Sequence, residues 1–310
     1  MTIAKILRQQ PAAASVPDIE RRTALAFAFD AGYLMPFKTI VSSMVRAGTM
    51  LHSPVHIYSD DPAVFDDAFV KKVADRCILI DGDLRDQLYE LAQNNVRRTE
   101  RTKWNRGTFL KWAVFRPANE DQVLFLDVDM VCLAEIEPLL TLRPDADMVG
   151  CAQFQKRMMV DDNERPVSSQ VLADRIQGMF DDRSRMYMGR LNSGVMLIRT
   201  KLLSDDFRNE IMAFARQGVE VNEQSQMTKF FAQKKYRLRI ISSEYNFHES
   251  YLASVDAEDA RKLLAQVRIL HYPGGEKPWK ADPSAPMRPS MKLWWDAHAD
   301  LPKLEEQVSV

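Results

Sequence analysis

A short apolar run that ends in two carboxylates constrains the fold of this chain more than any other feature. Residues 123–126 are apolar, and Asp127, Val128 and Asp129 follow at once. Such a run is typical of a buried strand, and side chains two positions apart on a strand point to the same face. Asp127 and Asp129 would therefore lie side by side and repel each other unless a proton or a cation lies between them. A plain turn or a helix N-cap would use the same residues, so the pair alone does not decide between a turn, a cap and a metal site.

Length and composition narrow the class of protein. A chain of 310 residues, 46% of them hydrophobic, can bury the core of one large α/β domain. The formal net charge of −1 gives no reason to expect nucleic acid as a partner. No segment approaches the roughly 20 apolar residues of a transmembrane helix. The three cysteines lack metal-binding spacing and fit a reducing compartment, so we expect a cytoplasmic protein.

Apolar runs alternate with segments of helical spacing along the chain. This alternation predicts a mostly parallel sheet with helices on both faces. The predicted strands are residues 24–29, 55–58, 77–80, 122–126, 148–152, 191–198, 236–241 and 267–270. The predicted helices are residues 36–47, 61–74, 109–115, 205–216, 224–233 and 290–306. Residues 156–169 are charged and without period, which indicates a mobile loop or an insertion over a site.

Other polar residues stand beside the predicted strands. Ligands of open α/β sheets bind outside the carboxyl ends of the strands. Asp30 follows the first strand and could accept a hydrogen bond from a base or a ribose, while Tyr33 could stack on a base. Asn192 can donate to and accept from hydroxyl groups, and Gly194 allows close approach to the backbone. Taken singly, each of these residues is better explained as part of an ordinary turn or of the core.

Residues 271–279, which read His-Tyr-Pro-Gly-Gly-Glu-Lys-Pro-Trp, carry a stronger signal. A neutral His271 imidazole is a good ligand for Mn²⁺ beside carboxylates. Gly274 and Gly275 can form a loop that accommodates phosphate, and Lys277 supplies positive charge there. A lone histidine after a strand is more often a core residue, but the neighbouring glycines, lysine and Pro-Trp pair favour a phosphate site.

The ordered set of motifs resembles the family 8 glycosyltransferases, which include glycogenin, galactinol synthase and bacterial lipopolysaccharide galactosyltransferases. Similar segments follow in the family's order over about residues 24 to 279. They are the first strand and turn at 27–33, Thr-Phe-Leu-Lys-Trp at 108–112, Leu-Asp-Val-Asp at 126–129, Leu-Asn-Ser-Gly-Val at 191–195 and the segment 271–279. The last is the most specific, because it fills every fixed position of the family's HxxGxxKPW motif. Two departures are Glu223-Gln224 in place of Asp-Gln, and Gly32 where relatives often have Asn.

The resemblance implies an α/β protein with the GT-A fold, in which helices flank a Rossmann-like, mostly parallel sheet. This domain would span residues 23–280, between an N-terminal extension (1–22) and a C-terminal helical tail (281–310). The implied activity is retaining transfer of glucose or galactose from UDP-glucose or UDP-galactose to a saccharide, lipid-linked or polyol acceptor. Asp127, Asp129 and His271 would hold Mn²⁺ or Mg²⁺. The donor would be bound by Ala28, Asp30, Tyr33, Lys111, Gly274 and Lys277, and the sugar oriented by Asn192, Glu223 and Gln224.

Two other classes of protein are also compatible with some of these motifs. An Asp-x-Asp phosphatase also places its aspartates after a strand, but normally after the first strand, whereas several predicted strands precede Asp127. A non-catalytic nucleotide-sugar-binding protein of the same fold would keep many of these residues. Retention itself could use a covalent intermediate or a same-face substitution. The donor sugar, the acceptor and the oligomeric state are not determined by these motifs.

Overall fold

A seven-stranded sheet runs through the protein in a computed structural model that describes residue 3 and residues 17–94, 102–153, 156–180, 190–218, 220 and 222–309. The strands are β1 (Thr23–Ala28), β2 (Val55–Ser59), β3 (Arg76–Leu79), β4 (Gln122–Leu126), β5 (Met130–Cys132), β6 (Met148–Ala152), β7 (Leu191–Arg199), β8 (Leu238–Ile241), β9 (Phe247–His248) and β10 (Ile269–His271). The α-helices of the described ranges are α1 (Asp18–Arg21), α2 (Leu34–Ala47), α3 (Ala68–Val73), α4 (Gly82–Asn94), α5 (Thr102–Leu110), α6 (Ser169–Phe180), α7 (Asp205–Arg216), α8 (Glu223–Gln233), α9 (Ala257–Leu264), α10 (Pro289–His298) and α11 (Leu301–Ser309).

The strand order of the large sheet is β3-β2-β1-β4-β7-β6-β8. Pairing is parallel everywhere except on the two sides of β7, which is antiparallel to both β4 and β6. Because β7 runs the opposite way, its first residues lie at the same edge of the sheet as the carboxyl ends of β1 and β4. The predicted mostly parallel sheet is confirmed.

Both faces of the sheet are covered, as its apolar strands require. On β1, Leu25 and Phe27 belong to a core shared with α2, α3 and α11. Their neighbours Ala24 and Ala26 point the other way, into a core shared with α4, α5, α7 and α8. This alternation, together with fully buried β4, produces the three-layer packing that the alternating sequence pattern predicted.

A second, three-stranded sheet of order β5-β10-β9 lies beside the first. β10 pairs antiparallel with β5, so that His271 stands opposite Met130, and parallel with β9. A third buried cluster, to which α6, α9 and α10 contribute, packs against this sheet. The small sheet therefore connects the chain that leaves β4 to the distant segment around His271.

Three predicted helices are divided in the structure, one of them by a side-chain cap. The predicted helix 61–74 is split, because the Asp67 carboxylate accepts from the Phe69 and Val70 amides and starts α3 after a 3-10 helix at Pro62–Asp66. The predicted helix 109–115 is the end of α5 followed by a 3-10 helix at Lys111–Val114. The predicted helix 290–306 is two helices, α10 and α11.

Several other expectations concern the ends and loops of the chain. Most of the expected N-terminal extension (1–22) lies outside the described residues. The segment 156–169 holds a 3-10 helix at Lys156–Met159 and a bridge between Val160 and Pro166 before α6 begins. The division into extension, domain and tail stays a prediction. Within the described ranges, no helix combines the length and apolar character that crossing a membrane requires.

Candidate active site

The two aspartates and the histidine meet where the large and small sheets join. The Asp127 amide donates to the Gly194 carbonyl at 2.8 Å, which extends the β4–β7 pairing by one residue. The Tyr272 amide donates to the Asp129 carbonyl at 2.9 Å, which extends the β5–β10 pairing. One ligand atom from each of Asp127, Asp129 and His271 lies within 4.8 Å of the others. The structure thus brings together the three predicted metal ligands.

The contacts of His271 test whether a cation fits this cluster. Its Nδ1 lies 2.8 Å from the Asn246 Oδ1, and its Nε2 lies 3.2 Å from an Asp129 carboxylate oxygen. A neutral imidazole whose Nδ1 carries the proton turns the Nε2 lone pair toward that carboxylate. Two lone pairs that face each other repel, so a proton or a metal ion has to lie between them. Two carboxylates and an imidazole are a donor set that suits Mn²⁺ and tolerates Mg²⁺.

Lys277 is the second partner of Asp129. Its Nζ donates to the Asp129 Oδ2 at 2.5 Å and to the Tyr272 carbonyl at 2.7 Å, and the side chain is buried. Burial alone would raise the pKa of Asp129, but the ammonium group of Lys277 and the contact with His271 outweigh it and hold the pKa well below its ordinary value. Asp129 therefore stays ionised, as a metal ligand must be.

Lys111 joins the other aspartate to the start of α8. Its buried Nζ lies 2.8 and 3.0 Å from the two carboxylate oxygens of Asp127 and 3.6 Å from the Glu223 Oε1. It also donates to the Ser193 hydroxyl at 3.3 Å. Burial would lower the pKa of Lys111, but the charges of Asp127 and Glu223 raise it above its ordinary value. Lys111 was predicted to contact the donor, and that role stays a prediction, since these acceptors all belong to the protein.

Replacing Lys111 with methionine should destabilise the protein by about 3–5 kcal/mol, because two acids would lose their buried counter-charge. The free energy of unfolding at neutral pH, from denaturant titration, measures the effect. Lys229→Met is the matched control: Lys229 is exposed and pairs with Glu220 at 3.1 Å, so its loss should cost about 0.5 kcal/mol or less. Equal stability of the two variants would show that Lys111 is not the counter-ion of the cluster.

The first two residues of α8 face the same cluster. Asn222 caps the helix by accepting from the Ser225 amide at 3.1 Å, which fixes Glu223 in the first turn. The buried Glu223 accepts from the Ser193 hydroxyl through Oε1 at 2.6 Å, while its Oε2 is buried without a hydrogen-bond partner among the described residues. Gln224 is half-buried, and its side-chain oxygen lies 3.5 Å from the Ser193 amide. A buried carboxylate oxygen without a donor favours a ligand that brings a hydroxyl group.

The predicted uridine-binding residues follow β1, whose last residue is Ala28. Asp30 is exposed and accepts from the Gly32 amide at 2.9 Å, which caps the short 3-10 helix Ala31–Tyr33. Burial raises the pKa of Tyr33 to about 12, and the charges of Asp129, Asp30 and Asp127 add to the shift. Tyr33 is therefore protonated at neutral pH and lies within electrostatic reach of the metal-ligand candidates.

The predicted phosphate loop connects this region to Asp129. Gly274 has a φ of +93°, a conformation that favours glycine, and is exposed together with Gly275. Lys277, at the end of the loop, has its Nζ 5.4 Å from the centre of a Trp279 ring. That ring lies edge-on to Tyr33 at 5.9 Å. Lys277 thus contacts both Asp129 and Trp279, and links the acid cluster to the aromatic pair.

Three residues of this site were not singled out from the sequence. Ser193 lies inside the Asn-Ser-Gly motif, and its position between Asn192 and Gly194 could have indicated it. Asn246 accepts from His271, and His248 lies 6.5 Å from His271 between ring centres. Burial lowers the pKa of His248 to about 3, and the neighbouring His271 adds to the shift, so His248 is neutral. Neither Asn246 nor His248 belongs to a motif that would have predicted it.

Comparison with known proteins identifies the family. The sequence profile described as Glycosyl transferase family 8 matches residues 24–282. The lipopolysaccharide 1,2-glucosyltransferase of Escherichia coli K12 is 24% identical over 263 residues, which are 82% of this chain and 72% of that protein. GlyE of Streptococcus pneumoniae TIGR4 has a similar structure, with a TM-score of 0.58 and 18% identity, and the match covers 92% of this chain but 63% of GlyE.

A structure of the galactosyltransferase LgtC in complex with donor and acceptor sugar analogs also matches. Its TM-score is 0.54 at 17% identity, and the match covers 92% of this chain and 99% of LgtC. These structures confirm the predicted GT-A fold, and the phosphatase alternative has no support. From the family profile, which spans most of the chain, we conclude that this protein is a glycosyltransferase and belongs to family 8.

Proposed function

We propose that the protein is a metal-dependent, retaining hexosyltransferase that moves glucose or galactose from a UDP-sugar to a saccharide acceptor. The observation that carries the proposal is the cluster of Asp127, Asp129 and His271 at the carboxyl edge of the sheet, with Lys277 beside it. The name of the E. coli relative supports glucose as the sugar and a lipid-linked saccharide as the acceptor. A free saccharide or a polyol would be the other acceptor classes.

The charged groups of the cluster suit a diphosphate leaving group. Asp127, Asp129 and His271 would hold Mn²⁺ or Mg²⁺, which when bound neutralises the charge that develops on the departing UDP. Lys277 lies against Asp129 and would place its ammonium group beside the same phosphates. The exposed backbone at Gly274 would let the phosphates approach the chain closely.

The sugar would lie between the acid cluster and the start of α8. The Oε2 of Glu223, which has no hydrogen-bond partner in the described part of the chain, would accept from a sugar hydroxyl, and Gln224 would offer its amide on the same turn. Asn192 would contribute through Nδ2, because its Oδ1 already accepts two hydrogen bonds from the protein. On the other side, Asp30 would accept from the uridine and Tyr33 would stack on the uracil, with Ala28 at the end of β1 as a further contact.

For retention, a same-face substitution fits these residues better than a covalent intermediate. Gln224 is an amide and a poor nucleophile. Glu223 is the stronger nucleophile by type, but Lys111 at 3.6 Å and the Ser193 hydroxyl at 2.6 Å stabilise its negative charge and so lower its reactivity.

We further propose a cytoplasmic location, which the three free cysteines support.

The purified protein should release UDP slowly from UDP-glucose or UDP-galactose when Mn²⁺ is present, and faster when an acceptor saccharide is added. Excess chelator should stop the release, and Mn²⁺ should restore it. A coupled UDP assay measures the rate, and thermal shift with a panel of sugar nucleotides ranks the donors. If no UDP-sugar binds at millimolar concentration with Mn²⁺, the proposal is wrong. Metal-dependent binding without turnover on any acceptor would favour a non-catalytic nucleotide-sugar-binding protein instead.

A further inference from the structure

We propose that Asn246 is a positioning residue that fixes the tautomer of His271, so that the Nε2 lone pair is directed at the metal ion. This inference rests on the proposed metal dependence, and it assigns a role to a residue outside the sequence motifs. Its evidence is a chain of buried hydrogen bonds that begins at a backbone amide and ends at the imidazole. Each link of the chain fixes the orientation of the next.

The first link fixes the amide group of Asn192. The Gly194 backbone N–H lies 2.8 Å from the Asn192 Oδ1. A backbone N–H can only donate, so the atom it meets has to be the side-chain oxygen rather than the nitrogen. The same oxygen lies 3.0 Å from the Asn246 side chain. Because an oxygen acceptor requires a donor, Asn246 has to present its Nδ2 to Asn192.

The second link fixes the imidazole. With its Nδ2 directed at Asn192, Asn246 turns its Oδ1 toward the His271 Nδ1, 2.8 Å away. An amide oxygen cannot donate, so the Nδ1 has to carry the hydrogen. The neutral ring then has no hydrogen on Nε2, which is the atom 3.2 Å from Asp129. The chain of contacts thus selects the tautomer that can bind a metal ion between His271 and the aspartates.

Burial of the three side chains strengthens this preference for one tautomer. Asn192, Asn246 and His271 are 9%, 4% and 3% exposed, which leaves little room for water to replace a missing partner. The Asn246 backbone is also fixed, because its N–H donates to the Ser243 carbonyl at 3.1 Å at the end of a 3-10 helix. An imidazole without such a partner can carry its hydrogen on either nitrogen. Loss of such a hydrogen-bond partner commonly lowers metal affinity by about 10–100-fold.

Two variants of the full chain separate the tautomer role from a merely structural one. Asn246→Leu keeps the volume but can neither donate nor accept. Asn246→Asp keeps an acceptor for Nδ1–H, and as a neutral acid it also keeps a hydroxyl group that can donate to the Asn192 Oδ1. The readouts are the Mn²⁺ dissociation constant, from the electron paramagnetic resonance signal of free Mn²⁺, and the His271 tautomer, from ¹⁵N chemical shifts of the imidazole in protein without added metal at an alkaline pH where the ring is neutral. Thermal melting reports folding separately.

We expect Asn246→Leu to raise the Mn²⁺ dissociation constant about 10–100-fold and to give a mixture of tautomers. Asn246→Asp should keep the Nδ1–H tautomer and recover most of the affinity. An unchanged tautomer and unchanged affinity in Asn246→Leu would overturn the inference, as would equal losses in both variants with the wild-type tautomer retained. If Asn246→Leu does not fold, Asn192→Leu breaks the same chain one link earlier. Failure of the wild type to bind Mn²⁺ would overturn the proposed metal dependence, while the tautomer measurement would still decide the role of Asn246.

Discussion

Replacing Asp129 with asparagine should abolish Mn²⁺-dependent binding of UDP and UDP-sugars. Asp129 contributes a carboxylate to the three-residue cluster and contacts both His271 and Lys277. Because partners that only support a metal ligand are worth about 10–100-fold in affinity, loss of a ligand itself should cost more than about 100-fold. Isothermal titration of UDP in the presence of Mn²⁺, and the UDP-release assay, measure the two losses.

Asp145→Asn is the matched control for this experiment. It removes the same charge from an exposed carboxylate that pairs with Arg239 at 3.2 Å, remote from the sheet junction. We expect wild-type UDP affinity and turnover for this variant. Unchanged metal-dependent UDP affinity in Asp129→Asn would show that the cluster does not bind the metal, and would remove the main support for the proposed function.

The stability of Asp129→Asn should also depend on pH in a defined direction. The variant leaves the buried Lys277 without its counter-ion, which should cost about 3–5 kcal/mol at neutral pH. Since the folded-state pKa of Asp129 is lowered, its contribution is fully present above the ordinary value of 3.8 and is lost as the pH falls through the folded-state pKa. Denaturant titrations of both proteins should therefore converge progressively in acid. A constant difference over the whole pH range would contradict the pairing.

Replacing Gly194 with alanine should displace the imidazole of His271. An added Cβ would lie 2.6 Å from the His271 Cε1, 2.7 Å from the Met130 Cε and 2.9 Å from the Asn192 Oδ1. The methionine end can move, but the other two groups are fixed by the hydrogen bonds that connect them through Asn246. We expect a loss of about 1–3 kcal/mol in stability from overpacking, and a drop in Mn²⁺ affinity of about tenfold or more.

Gly107→Ala provides the comparison for this second variant. Gly107 is exposed in α5, and a Cβ there would meet nothing within 4 Å. Alanine should stabilise that helix by about 0.5–1 kcal/mol and leave Mn²⁺ affinity unchanged. Wild-type metal affinity in Gly194→Ala would mean that the His271 ring is not held as tightly as its contacts indicate.

Local signals in the sequence predicted much of the fold. Apolar runs placed β4 and β6 at the observed residues, and helical spacing placed α7, because each buries a face that its own pattern specifies. One helix boundary failed because a side chain acts as a cap. The Asp67 carboxylate splits the predicted helix 61–74, and such a cap competes with helix hydrogen bonding in a way that periodicity does not show.

The candidate site also has a part that local sequence motifs predicted and a part that they did not. The pair Asp127 and Asp129 indicates a strand end, and the motif at 271–279 indicates a phosphate loop, because the residues of each motif are close together in sequence. The resemblance to family 8 then related them to each other. The predicted contact of Lys111 with the donor stays a prediction, but the ion pairs of Lys111 with Asp127 and Glu223 were not predicted. Ion pairs between distant segments depend on packing and leave no pattern in the sequence.

The sequence by itself determined the residue types of the site and the strand that presents the two aspartates. Only the tertiary structure decided how they combine. Because β7 runs antiparallel to β4, the start of β7 lies at the carboxyl edge of the sheet, which brings Asn192 to the acid cluster. Because β10 pairs with β5, His271 reaches Asp129 across more than half of the family domain. Asn246 joins both through hydrogen bonds that depend on strand pairing, a long-range property that no local pattern encodes.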